Sequence, residues 1–127
     1  MTQSTFKDKY PLFSYTLNKA DTAHKDVNAI IAYYKEKIEA HPIAIYIATF
    51  DHFSHTTSLN GTINPDIKDL QNIIFCFGAE IPSAKVGAVR PRSISVCDLG
   101  DTFTIDFMEA PNPKANEFMI NWTKSLT

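Results

Sequence analysis

Residues 51–65 gather the side chains of this chain that are best suited to binding or catalysis. The segment follows a strongly apolar stretch and contains Asp51, His52, His55, three successive hydroxyl residues and an Asn60-Gly61 pair typical of a turn. Polar side chains on a loop that follows a buried strand are a common place for a binding site. We therefore predict that Asp51, His52 and His55 contact a ligand.

The same residues could hold a metal ion. Imidazole and carboxylate groups are ligands for transition metals, so His52 and His55 are candidate metal ligands and Asp51 could complete the set. The alternative, which the spacing favours, is that His52 hydrogen-bonds within the loop and His55 faces solvent. No HExxH or CxxC pattern is present, so no motif indicates a cofactor and a transition metal stays the minority alternative.

Arg90 and Arg92 are the best candidates for binding an anion. Pro91 stiffens the backbone between them, and two guanidinium groups held in this way can clamp a carboxylate or a phosphate through paired hydrogen bonds. The alternative, slightly favoured, is ion pairing across the following hairpin, with Asp98, Asp106 or Glu109.

The two cysteines, Cys76 and Cys97, offer little reactivity. One lies in an apolar segment and the other precedes an aspartate, and both settings disfavour the thiolate. Packing is the predicted role of both, and a redox pair on adjacent strands is the alternative. Nucleophile-elbow, P-loop and dinucleotide fingerprints are all absent from the sequence.

The length and net charge of the chain are typical of a single globular domain. The 127 residues suit a single domain spanning 1–127, and the net charge of −2 gives no reason to expect nucleic acid or an anionic membrane as a partner. The N-terminus lacks the apolar core of a signal peptide, and no segment approaches the length needed to span a bilayer. A cytoplasmic location is expected.

The hydrophobic pattern predicts an α+β fold. Alternation around residues 13–17 indicates a strand, and apolar residues at helical spacing between Asp26 and Pro42 indicate an amphipathic helix capped by Asp26. Strands are predicted over residues 43–50, 72–78, 93–99 and 102–108, and a second amphipathic helix after Asn112-Pro113. The order β-α-β-β-β-β-α implies a single, mainly antiparallel sheet with both helices on one face.

Residues 43–50 are apolar on both sides, which predicts a central strand. Its isoleucines would pack beneath a helix, whereas Tyr46 and Phe50 would lie on the open face of the sheet. Because a bare apolar face of that size is unusual in a monomer, a homodimer is expected, with a loop that covers the face as the alternative.

This element order is similar to the TBP-like β-α-β4-α layout of several small uncharacterised bacterial domains. The similarity covers most of the chain but consists of element order alone. It therefore implies a fold and carries over no activity and no site residue.

Three functions are compatible with these observations. The first is a domain that binds or senses a small ligand, an anion among the candidates, in a pocket shared by the 51–65 loop, Arg90 and Arg92. The second is a small metal- or His-dependent enzyme that uses His52 or His55 as base or ligand. The third is a structural dimerisation module that buries Tyr46 and Phe50.

Overall fold

Six strands form one antiparallel sheet, described for residues 1–127 by a computed structural model. The strands are β1 (Thr2–Phe6), β2 (Tyr10–Asn18), β3 (Ile45–Asp51), β4 (Asp69–Cys76), β5 (Arg92–Asp98) and β6 (Thr102–Met108), and the helices are α1 (Val27–Ala40), α2 (His52–Ser58), α3 (Val86–Val89) and α4 (Pro113–Lys124). In space the strands run in the order β1-β2-β6-β5-β4-β3. The predicted α+β class and the single antiparallel sheet are confirmed.

The two long helices complete the core. Val27, Ile30, Ile31, Tyr34 and Ile38 form the buried stripe of α1, and α4 contributes Ala115 and Met119 to the same cluster. The hydroxyl of Tyr34 donates to Thr123 Oγ1 over 2.7 Å, because the Thr123 hydroxyl itself donates to the carbonyl of Met119. This fully buried chain ties α1 to α4. None of the helices is both long and apolar enough to cross a membrane.

The structure adds elements that the sequence pattern did not predict. The polar N-terminus forms β1, which pairs with β2 through a turn whose central residues, Lys7 and Asp8, both have positive φ (53° and 58°). The first half of the 51–65 segment is the helix α2 and not a loop. With these additions the order departs from the predicted β-α-β4-α, and the TBP-like layout stays an analogy.

The prediction of a central strand at residues 43–50 is wrong, because β3 is an edge of the sheet. Its two faces are also exchanged. Tyr46 packs against the core, whereas Ile43, Ile45 and Ile47 are 52%, 63% and 52% exposed. A register shift between Tyr46 and Ala48 interrupts the pairing with β4 and separates the two halves of the strand.

Candidate functional site

The predicted site residues lie at opposite ends of the sheet. The histidine end, defined by His52 and His55, is where β3 ends and α2 begins; the arginine end, defined by Arg90 and Arg92, is where β5 begins. His52 and the arginines line two cavities that share no residue. The predicted common pocket of histidines and arginines is therefore not formed.

The strand register gives the separation. Asp51, which precedes His52, lies opposite Gln71, whereas Arg92 lies opposite Phe75. Four residues of an extended strand span about 13 Å. A small ligand bound by the guanidinium groups cannot reach the imidazoles.

At the histidine end, the side chains of Asp51 and His52 have structural partners, whereas His55 is exposed. The Asp51 carboxylate caps α2 by accepting from the backbone N–H and the hydroxyl of Ser54, both over 2.9 Å. His52 Nε2 lies 3.1 Å from Oδ1 of Asn72, and it must be the donor because a carbonyl oxygen can only accept. The predicted alternative of a hydrogen-bonded His52 is confirmed.

The two histidines meet around an aromatic ring and not around a metal position. The ring centroid of Phe50 lies 4.5 Å from that of His52 and 5.5 Å from that of His55. No three His, Cys, Asp or Glu side chains of the protein are grouped so that they could hold a metal ion. The cavity of about 190 Å³ beside His52 is lined by no charged side chain.

The arginine end contains a cavity of about 180 Å³ with both guanidinium groups in its wall. Arg90 Nη1 donates to the carbonyl of Glu80 over 2.7 Å. Its guanidinium fills the space above Gly78, where a Cβ atom would lie only 2.6 Å from it. A glycine is therefore required at this position for Arg90 to lie against the end of β4.

Arg92 is held by neutral groups. Its Nη1 donates to the carbonyl of Val89 (3.2 Å) and its Nη2 to the carbonyl of Met108 (3.0 Å). Its Nε is the single buried side-chain polar atom of the protein without a hydrogen-bond partner. Burial lowers the pKa of the Arg92 guanidinium from its ordinary value.

Neither arginine pairs with a carboxylate. The only ion pair of the protein joins Lys19 to Asp98 over 2.9 Å. The prediction that Arg90 and Arg92 form ion pairs across the hairpin is therefore wrong. Because these are the only two arginines of the chain, one cavity contains every guanidinium group that the protein has.

The start of α4 forms the opposite wall of the arginine cavity. Asn112 caps this helix by accepting from the backbone N–H of Lys114 over 2.9 Å. The buried side chain of Asn116 accepts from the N–H of Ala110 (2.8 Å) and donates to its carbonyl (3.1 Å). This two-point contact fixes residues 110–112 against the helix and thereby shapes the cavity.

Sequence reasoning missed an aromatic group beside this cavity. Phe77 stacks on Phe118 and Trp122, with ring centroids 5.7 and 5.6 Å apart. The ring of His41 stands edge-on to Phe118 at 4.4 Å and to Phe77 at 5.3 Å. Only the helical spacing of Phe118 and Trp122 was visible in the sequence, because the other two rings come from the ends of α1 and β4.

The cysteines are too far apart to react with each other. Cys97 lies opposite Leu70, and six residues of β4, about 20 Å of strand, separate Leu70 from Cys76. Burial, followed by the charges of Asp98, Asp106 and Asp69, raises the pKa of Cys97. Both thiols are free, and the alternative of a redox pair is wrong.

A wide depression lies where the sequence predicted a pocket, between the open face of the sheet and the segment that follows α2. It has a volume of about 550 Å³ and is bordered by nine residues: Asn64, Asp66, Ile67, Leu70, Ser95, Cys97, Leu99, Thr104 and Asp106. None of the five predicted ligand contacts is among them. Its two charged residues are both acidic, which makes it unsuitable for an anion.

Comparison with known proteins extends these observations. The crystal structure of an uncharacterized conserved protein DUF302 from Bacillus stearothermophilus is similar in fold, with a TM-score of 0.60 and 14% identity, covering 87% of this chain and 80% of that chain. No curated protein matches the sequence. The model of a family of unknown function, DUF6858, matches residues 1–127. The chain is therefore a member of the DUF6858 family.

Proposed function

We propose that this protein binds a small anion in the arginine cavity. The observation that carries the proposal is that both arginines of the chain line one cavity and that neither meets a carboxylate. Leaving a guanidinium partly buried without a counter-charge is unfavourable. A bound anion would supply that counter-charge.

The hydrogen bonds support the same conclusion. Buried Arg92 Nε has no acceptor, and leaving such a donor unsatisfied costs about 1–3 kcal/mol. A carboxylate or phosphate oxygen is the acceptor that a guanidinium group binds best, because two oxygens match its paired N–H groups. The N-terminal end of α4, which also borders the cavity, adds partial positive charge on the same side.

An NMR titration with acetate and with inorganic phosphate tests this function. Amide resonances of Gly78 and Ala115 are expected to shift on titration at constant chloride. Arg92→Lys keeps the charge but removes the planar fork, and it is expected to weaken binding at least fivefold. If neither anion causes localised shifts of these resonances, the proposal is contradicted.

The histidine end supplies the matched control. Its cavity shares no residue with the arginine cavity, so contacts from Asp51, His52 or His55 to a ligand would constitute a separate site. His52→Gln keeps a hydrogen-bond donor toward Asn72 and is expected to leave anion binding unchanged. We include a cytoplasmic location and a sensing role in the same proposal. The TBP-like element order gives no information about the ligand.

We also propose that two copies pair through β3. An edge strand exposes unpaired backbone groups, and proteins usually protect it with charges or proline. From Ile45 to Phe50 this strand has neither, the first charge being Asp51 at its end, and its isoleucines are exposed. The other edge, β1, is polar apart from Phe6 and is followed by Lys7, Asp8 and Lys9.

Sedimentation equilibrium tests the pairing. Ile45→Lys is expected to convert a dimer into a monomer, because the symmetry places a charge on the exposed edge strand of both copies at once. Ile81→Lys is the control, since Ile81 is exposed and lies in the connection between β4 and α3, outside the strands. A wild-type protein that sediments as a monomer at every concentration would contradict the proposal.

A further inference from the structure

A second cavity adjoins the arginine cavity and differs from it in chemistry. It has a volume of about 120 Å³ and shares the residues Phe77, Asn112 and Ala115 with the arginine cavity. The rest of its wall consists of His41, Ile43, Lys114 and Phe118. A ligand held by the guanidinium groups could extend past Phe77 into this second cavity.

The wall of the second cavity is mainly apolar and aromatic. Phe77 and Phe118 stack with an interplanar angle of 28°, and His41 contacts both rings edge-on. His41 Nδ1 accepts the backbone N–H groups of Ile43 and Ala44, each over 3.1 Å. This nitrogen therefore carries no proton, and the imidazole is fixed in orientation.

Neither cavity has an acidic side chain in its wall. Positive charge is concentrated at one end of the joined space, at Arg90 and Arg92, and aromatic surface at the other. Lys114 adds one cation at the rim, but its position on the first turn of α4 leaves its long side chain free to turn toward solvent. The joined space is thus polar at one end and apolar at the other.

We propose that the ligand is an organic monocarboxylate with an aromatic or branched apolar tail. This inference rests on the proposed function. The carboxylate binds Arg90 and Arg92, and the tail lies beside Phe77 and Phe118. The size is suitable, because an enclosed apolar cavity of about 150 Å³ holds a benzene molecule. The second cavity is slightly smaller but open to solvent, so a ring can enter it from outside.

A comparison of four ligands tests the apolar tail separately from the binding of an anion. Acetate, phenylacetate, succinate and inorganic phosphate are titrated into the intact protein and followed by NMR. Phenylacetate is expected to bind about tenfold more tightly than acetate, as the partial burial of one ring allows. Its aromatic ring is further expected to shift the resonances of Phe118 and Ile43, which acetate leaves unchanged.

Two variants test where the apolar tail binds, because each should reduce the affinity of phenylacetate relative to that of acetate. Phe118→Ala is expected to remove most of the advantage of phenylacetate and to leave acetate binding unchanged. Ile43→Ser makes the same test at an exposed position, where loss of the fold is not expected, and should remove part of the advantage. Arg92→Lys is expected to weaken both ligands by the same factor.

The outcomes are distinguishable. If no anion binds, the proposed function fails. If acetate binds and phenylacetate binds no more tightly, the anion site stands and the apolar tail is wrong. If succinate or phosphate binds most tightly, a second anionic group at Lys114 or a tetrahedral anion replaces the proposed ligand class.

Discussion

Both ends of the sheet have polar side chains, but these differ in their partners. At the histidine end, the Asp51 carboxylate caps a helix and His52 donates to Asn72. At the arginine end, Arg90 and Arg92 have no charged partner, and one buried N–H of Arg92 has no acceptor. We infer that Asp51 and His52 maintain the fold, whereas the guanidinium groups without a counter-charge support the proposed anion site.

The largest change in stability that would test this comparison is expected for a substitution of Asn116. Asn116→Ala would leave the buried N–H and carbonyl of Ala110 unpaired, lowering the free energy of unfolding by about 2–4 kcal/mol. Asn72→Ala, at the histidine end, should cost about 1 kcal/mol, because its partners are only partly buried. Urea denaturation measures both values, and equal losses would contradict the comparison.

The helix caps make a matched pair at the two ends. Asp51→Ala and Asn112→Ala each remove a side chain that accepts a backbone N–H at the start of a helix, and each should cost about 1 kcal/mol. Only Asn112→Ala is expected to change acetate affinity as well, since Asn112 borders the arginine cavity. A change of anion affinity in Asp51→Ala would break the distinction between the ends.

Replacing Arg92 should show how much its charge contributes to the free energy of unfolding when no ligand is bound. Arg92→Met substitutes a shorter, unbranched apolar side chain and removes a partly buried charge that no carboxylate balances. Because such replacements are often neutral or stabilising, we expect the free energy of unfolding to rise by up to about 1 kcal/mol while anion binding is lost. A clear loss of stability would show that Arg92 serves the fold and not a ligand.

The smallest effect is expected in alkaline solution, at the histidine end. Because burial raises the pKa of Cys97, the folded protein retains the thiol proton at pH values where the unfolded chain loses it. Stability is therefore expected to fall as the pH rises above about 9, the ordinary thiol value. Cys97→Ala should flatten this fall when denaturation is measured between pH 8 and pH 10.

The long elements could be predicted because their sequence patterns reflect burial. The stripe of α1, the cap at Asp26 and the alternation in β6 each appear where the structure has them. The β1–β2 turn could not be predicted, because Lys7 and Asp8 adopt positive φ values that sequence usually signals with glycine or asparagine. The helix α2 did have a signal, since Asp51 precedes it at a capping position.

The position of β3 was mispredicted for a physical reason. An apolar strand is normally buried on both faces, and nothing in Ile43–Phe50 distinguishes a strand covered by its own chain from one that leaves its isoleucines exposed. The arginines were identified as candidate anion contacts, but the absence of their acidic partners depends on three-dimensional placement. The ring of His41 reaches Phe77 and Phe118 because the end of α1 lies against both the end of β4 and α4.

Gly78 has a consequence that extends beyond its own backbone. The guanidinium of Arg90 lies in the volume that a methyl group at residue 78 would take. Gly78→Ala would therefore shift one positive charge without altering any charged residue. Under the proposed function, Gly78→Ala would change the affinity for an anion while the net charge of the protein stays at −2.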